Sequence, residues 1–377
     1  MTDAVVSALR EIANRDLYQR NAFHLTGLPT GVDRRTTRRR QQHVTAVLEA
    51  GADLETSGST DPDELRIAFD RLLGDPRRRL VDEVFGEWGR PDGECGCDVP
   101  VHQAHDEAVY AHAHAIELLI QPPGKQQYDV MWRRAGKRWT TAMQNPQFWQ
   151  HLRNRVLALD DWQLAASAID QLRSELPATL TGPLLDLATT GDYPARVAKV
   201  LADWPVGRES TQRWVLDAMR PQYERAEDAA LALGRRLQQG NHQIDPVISE
   251  LERSVLPVYR RLQVMLPSEQ HQRTLTLRDD IARIYQNSAV GIANEGSLQD
   301  ARITPLFEQA EGYAGTAEMK RLITENRLVV AQLANIERLR PTHAPAVHQS
   351  SAGSGCWPVI IFIVVFIAII LIFQALP

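Results

Sequence analysis

Two thiols and two imidazoles fall within eleven residues of this chain, in the run Cys95-Gly-Cys97-Asp-Val-Pro-Val-His102-Gln-Ala-His105. Thiolate sulfur and imidazole nitrogen are the ligands tetrahedral zinc prefers, and a Cys2His2 set needs only that the four side chains converge. A Cys-x-Cys turn kept open by Gly96 and a His-x-x-His pair one helical turn apart predict Cys95, Cys97, His102 and His105 as a metal site. A closed four-ligand shell would be structural, pinning the junction between the segments on either side. A hydrolytic site would instead leave one position open with a base beside it, for which Asp106 and Glu107 are the nearest carboxylates. The histidines also admit a reading without metal. A helix beginning near Pro100 lines Val101, His105, Ala108, His112, Ala115 and Leu119 along one stripe, so His105 and His112 would be hydrogen-bonded groups at a helix interface.

Other catalytic patterns are missing from the sequence. Gly124-Lys125 lacks the upstream Gly and the following Ser or Thr of a phosphate-binding loop, and no dinucleotide fingerprint or His-Glu-x-x-His helix occurs. Gly353-Ser-Gly355 lies in a polar stretch with no strand–turn–helix context for a nucleophile elbow. A net charge of -5 and a pI near 6.1 leave no global basic field, so nucleic acid is not an expected partner. Four of the 42 basic residues are lysines and the rest arginines, the usage of a GC-rich bacterial genome. Three cysteines cannot staple 377 residues with disulfides, which fits a reducing cytoplasm.

The elements that must position these residues are helices. Up to about Leu339 apolar residues recur at helical spacing, punctuated by Pro and Gly and without sustained alternation of period two, so the class is all-α. Asp61-Pro62, Asp75-Pro76, Asn145-Pro146 and Asp245-Pro246 each set a capping side chain before a proline suited to the first helical position. Trp132, Trp139, Trp149, Trp162, Trp204 and Trp214 fall in helical segments and are expected to anchor the core and helix interfaces. The predicted divisions are an N-terminal helical module over 15–90, a central helical domain over 98–240 and a helical region over 243–340. In the last, Ala289, Ala293, Ala301, Leu306, Ala310, Tyr313 and Ala314 resemble a tetratricopeptide-like helix pair.

A flexible tether over 341–356 and a single transmembrane helix over 357–376 complete the expected layout. The apolar run is uninterrupted from Val359 to Phe373. A helix of that segment's length spans about 30 Å, the thickness of a hydrocarbon core, and a lone segment in lipid must be helical. Lys320, Arg321, Arg327, Arg338 and Arg340 all precede it, while the first twenty residues are charged and carry no apolar stretch. These features predict a tail-anchored, single-pass protein of the cell membrane with its N-terminal bulk in the cytoplasm.

Near the N-terminus, Asn21-Ala-Phe23-His-Leu25-Thr-Gly27-Leu28-Pro29 reads as a capped, short aromatic helix. Downstream, Ala68-Phe69-Asp-Arg-Leu72-Leu-Gly-Asp75-Pro76-Arg-Arg-Arg79 supplies a core stripe and a capping Asp75. The two runs resemble the opening and the close of a J-domain (DnaJ-like), with one residue inserted before Asp75-Pro76. Between them Arg34, Arg35, Arg38 and Arg39 form a basic helix face, since residues four apart share a side; taken by itself such a face reads first as solvated, and otherwise as suited to anionic lipid or an acidic protein surface. The His-Pro-Asp signature through which J-domains stimulate DnaK-type chaperones is absent. Asp61-Pro62-Asp63 stands nearest to it and is accounted for as a helix start. The resemblance implies a J-like module over 15–90 that docks a protein partner, such as a DnaK-type chaperone, on those four arginines. The expected function is a non-enzymatic membrane adaptor or co-chaperone-like protein, with no cofactor or one structural zinc. The alternatives are a zinc-dependent membrane-associated enzyme and a purely structural helical scaffold with a structural zinc site.

Overall fold

Caps and prolines decide where the helices of the N-terminal module begin. The computed structural model describes residues 4–51, 61–91, 95–121, 128–164, 167–190, 193–239 and 244–339, and among these every regular element is a helix. In chain order they are α1 (Ala4–Ile12), α2 (Ala22–Thr26), α3 (Arg34–Glu49), α4 (Pro62–Gly74), α5 (Pro76–Phe85) and α6 (Val99–Ile120). Next come α7 (Tyr128–Gln144), α8 (Pro146–Leu159), α9 (Ala168–Thr179), α10 (Gly182–Thr190), α11 (Pro194–Ala202) and α12 (Arg208–Gln238). The series ends with α13 (Ile244–Glu250), a π-helical turn at Leu251–Val255, α14 (Leu256–Met265), α15 (Gln272–Asn294), α16 (Ile303–Tyr313) and α17 (Ala317–Leu339). The all-α class therefore holds for the described residues. Residues up to Arg327 form one compact unit and those from Leu328 onward a second. No helix among the described residues is long and apolar enough to cross a membrane. The predicted tether over 341–356 and transmembrane helix over 357–376 lie outside them.

Asn21 caps α2, its Oδ1 accepting from the backbone N–H groups of Phe23 (3.0 Å) and His24 (3.4 Å), while its Nδ2 donates to the carbonyl of Asp82 (2.6 Å). Gly27 ends that helix in the left-handed conformation (φ 64°), which favours glycine. Asp33 caps α3, Asp61 caps α4, and Asp75 both terminates α4 and caps α5 ahead of Pro76. Helices α3 and α4 run antiparallel. At one end Arg34 Nη2 donates to the Leu73 carbonyl (2.5 Å), and further along Val44 packs with Leu65 and Phe69. From the same buried stripe of α4, Ala68 and Leu72 join Ala22, Phe23, Leu25 and Val32 in a second cluster.

In the central part, the stripe Val101, His105, Ala108, His112, Ala115 and Leu119 of α6 is buried throughout, as its spacing predicts, and α7 packs on α6 with Trp132, Trp139 and Ala142 buried. Gly182 opens α10 against the end of α1. A Cβ there would stand 2.4 Å from Ala13 Cβ and 2.6 Å from its carbonyl oxygen, so only glycine admits this approach. Trp162 departs from expectation: it occupies the turn after α8 and is 90% exposed, because that helix ends at Leu159 before the predicted core position is reached. Asp245 departs as well. Helix α13 starts one residue ahead of it, and its carboxylate accepts from Arg302 Nη1 (2.8 Å) rather than capping. Helices α15 and α16 pack as an antiparallel pair, with Arg278 Nε donating to the Tyr313 carbonyl (2.9 Å).

His112 is fully buried, and its Nδ1 lies 2.7 Å from the Tyr18 hydroxyl. Burial pushes its pKa down to about 3, so the folded chain holds it neutral while the unfolded chain protonates it below its ordinary value of 6.5. Its contribution to stability is present above pH 6.5 and is lost as the pH falls toward 3. Buried Asp82, raised to about 7 by desolvation, acts in the opposite direction, favouring the fold as the pH falls from 7 toward its ordinary 3.8. A comparison with His112→Gln, which still offers Tyr18 a partner, isolates the histidine. Urea unfolding should show the wild-type advantage over that variant shrinking by roughly 1.4 kcal/mol for each pH unit below 6.5.

Candidate metal centre

Helix α5 is buried on nearly every side, from Pro76 to Phe85, and the chain leaving it must turn tightly. Gly86 permits this, since a Cβ would meet Thr30 Cγ2 at 2.8 Å. The next residues are pinned by Asp106 of α6, whose Oδ1 accepts from Trp88 N (2.7 Å) and whose Oδ2 accepts from Gly89 N (2.9 Å). Trp88 Nε1 donates back to the Glu83 carbonyl (2.9 Å), which fixes the indole over the end of α5. The strand of loop carrying the cysteines is held separately. Asn154 Nδ2 of α8 donates to the Cys95 carbonyl (3.0 Å), and Gly96 takes a left-handed φ of 65°, allowing the Cys-x-Cys turn.

Four donor atoms then meet: those of Cys95, Cys97, His102 and His151 all lie within 4.8 Å of one another. Cys95 Sγ is 3.6 Å from His102 Nε2, and Cys97 Sγ is 3.4 Å from His151 Nδ1. In a tetrahedral shell with usual zinc bond lengths, sulfur and nitrogen ligands are about 3.6 Å apart. Thiols hydrogen-bonded to imidazoles have similar spacings, so the cluster is also satisfied as Cys–His pairs. Cys95, His102 and His151 are buried, and Cys97 is half-buried. His102 presents Nε2 to the cluster because its Nδ1 lies 3.0 Å from the Gly89 carbonyl, which requires the proton on Nδ1. Burial lowers the pKa of His102 and so favours the neutral imidazole that a metal needs.

The structure thus brings together Cys95, Cys97 and His102 of the predicted site and seats His151, not His105, in the fourth place. His105 is turned toward α5, with Nε2 2.8 Å from the Val84 carbonyl and Nδ1 3.1 Å from Asp106 Oδ1. The Trp88 indole lies between it and the cluster, stacked on His105 on one face (3.8 Å, 13°) and on His151 on the other (3.8 Å, 21°). Both carboxylates considered as a base are committed elsewhere: Asp106 to the Trp88-Gly89 backbone, and Glu107 to Arg138 on the surface (2.6 Å). His151 escaped sequence reasoning because it comes 54 residues after Cys97. Its only local signal is Arg155 four positions on, which places a second polar group on the same face of α8.

The four predicted partner-binding arginines, Arg34, Arg35, Arg38 and Arg39, are exposed on α3. Arg34 is partly engaged, donating to Leu73 and lying 4.0 Å from Asp161. In comparison with known proteins, no family model, no curated protein and no solved structure matches this chain.

With metal analysis as the readout, protein purified without chelator should carry about one zinc per chain. His151→Ala should lose it, whereas His105→Gln should keep it, the reverse of what the local His-x-x-His spacing implies.

Proposed function

We propose that this chain is a non-enzymatic helical adaptor in which one structural zinc fastens the loop that follows the N-terminal helices to the central helices α6 and α8. The observation that carries this reading is the convergence of Cys95, Cys97, His102 and His151 from a loop and two separate helices into one largely buried cluster. A four-protein-ligand shell leaves no coordination position for a substrate or an attacking water. The exposed arginines of α3 supply a docking face for an acidic protein surface, and a DnaK-type chaperone is the partner implied by the J-domain resemblance. The apolar residues 357–376 would hold the assembly at the cytoplasmic face of a membrane, raising the local concentration of what it binds.

Two measurements test the parts separately. Chelation should lower the Tm of the purified full chain by on the order of 5 °C, as expected for loss of a ligand held well above its Kd; an unchanged Tm removes the structural zinc. Reversing Arg34, Arg35, Arg38 and Arg39 to Glu should abolish capture of a partner from native membranes while leaving zinc content unchanged. Retention of every partner by that variant removes the docking face.

A further inference from the structure

Glu83 is fully buried, and what surrounds it is incomplete. Its Oε1 accepts from Arg155 Nε at 2.6 Å, and His151 Nε2 stands 3.6 Å from the same oxygen, beyond hydrogen-bond reach. Glu83 Oε2 and His151 Nε2 are both shielded from solvent and both lack a hydrogen-bond partner. Each is a buried polar atom left unsatisfied, which is costly to the fold, and Glu83 is the carboxylate nearest to that ring nitrogen.

Metal binding fixes the state of that nitrogen. A metal on His151 Nδ1 requires the ring proton to sit on Nε2, the atom that faces Glu83. Trp88, stacked on the ring at 3.8 Å, holds its plane, and Nδ1 is the nitrogen on the side of Cys97 Sγ, 3.4 Å away. His102, the other imidazole, is oriented by the Gly89 carbonyl through its remaining nitrogen. Metal-ligating histidines are commonly fixed in this way by a carbonyl or a carboxylate, and losing the partner weakens metal affinity roughly 10- to 100-fold.

Resting on the zinc reading above, we propose that Glu83 is the positioning residue of the centre: it accepts a hydrogen bond from Nε2–H of metal-bound His151 and couples the metal to the N-terminal helices through Arg155. The relay continues beyond the carboxylate. Arg155 Nη2 donates to the Thr30 carbonyl (3.3 Å), and Thr30 Oγ1 donates to the Glu87 carbonyl (3.1 Å), so occupancy of the site is felt in the turn before α3 and in the chain just after α5.

The test uses the full chain and zinc itself. Competition against a chromophoric chelator should show Glu83→Gln binding zinc about 10- to 100-fold more weakly than wild type, with Glu83→Asp recovering part of the loss. Gly182→Ala, which strains a helix contact away from the centre, serves as the comparison for destabilisation alone and should bind zinc as wild type does. Cobalt substitution should show the thiolate-to-metal band preserved in Glu83→Gln and the ligand-field bands shifted, since both sulfurs remain bound. Wild-type zinc protein, observed by nitrogen-15 NMR of the histidine side chains, should carry the His151 proton on Nε2 at a hydrogen-bonded, downfield position. Zinc binding by Glu83→Gln that equals wild type, or that falls no further than in Gly182→Ala, overturns the proposal. So does a His151 proton found on Nδ1, a result that does not depend on any variant folding. Failure of wild type to bind zinc overturns the metal reading itself, an outcome distinct from these.

Discussion

A helix buried on nearly all sides that nevertheless carries four ionisable side chains obliges its neighbours to answer each of them. Helix α5 is such an element, with Arg78, Arg79, Asp82 and Glu83 all inside. Burial of a charge is tolerated only where partners are built for it. Arg79 Nη1 donates to the Leu72 carbonyl (3.2 Å) and Nη2 to that of Val32, drawing the end of α4 and the turn before α3 onto the helix. Arg78 reaches Glu11 of α1 (3.0 Å), with Asp82 one turn further along 3.8 Å away. Glu83 takes Arg155 from α8, and the histidine that completes the metal cluster stands on the same face one turn earlier. The arrangement of the first eight helices is therefore tied to the polar demands of one of them as much as to its apolar surface.

Those demands explain what the sequence disclosed and what it withheld. Helix starts are local physics, a capping oxygen followed by a proline, and Asp61, Asp75 and Asn145 behave as their dipeptides imply. The buried stripe of α6 follows from periodicity in the same way. Three of the four members of the Cys–His cluster were legible because Cys95, Cys97 and His102 are neighbours along the chain. The fourth member was not, since a long-range contact leaves no spacing rule. His105 misled for a related reason: one turn from His102 is close in sequence, yet once the chain folds a flat indole separates it from His151. Nothing local marks Arg78 and Arg79 as interior, and only the carbonyls and carboxylates gathered around them account for their burial.

Trp88 shows how apolar and polar roles are combined at the joint. Its two faces are covered by imidazoles, its indole N–H bonds the Glu83 carbonyl, and its backbone N–H is taken by Asp106. One residue thereby fixes the distance between the end of α5, the start of α6 and the middle of α8. A metal centre built on such a joint needs little further ordering to bind, because most of the conformational cost of gathering its ligands has been met by the surrounding contacts.

The separation of His151 from the other three members of the Cys–His cluster also gives its assembly a direction in time. During synthesis the N-terminal part emerges first, at about 5–20 residues per second, so the 54 positions between Cys97 and His151 correspond to roughly 3–10 s of elongation. Through that interval the nascent chain holds an unfinished triad, two sulfurs and one imidazole, with Glu83 still waiting for both of its partners on α8. Closure of the cluster thus waits until the ribosome has delivered the helix that carries His151 and Arg155.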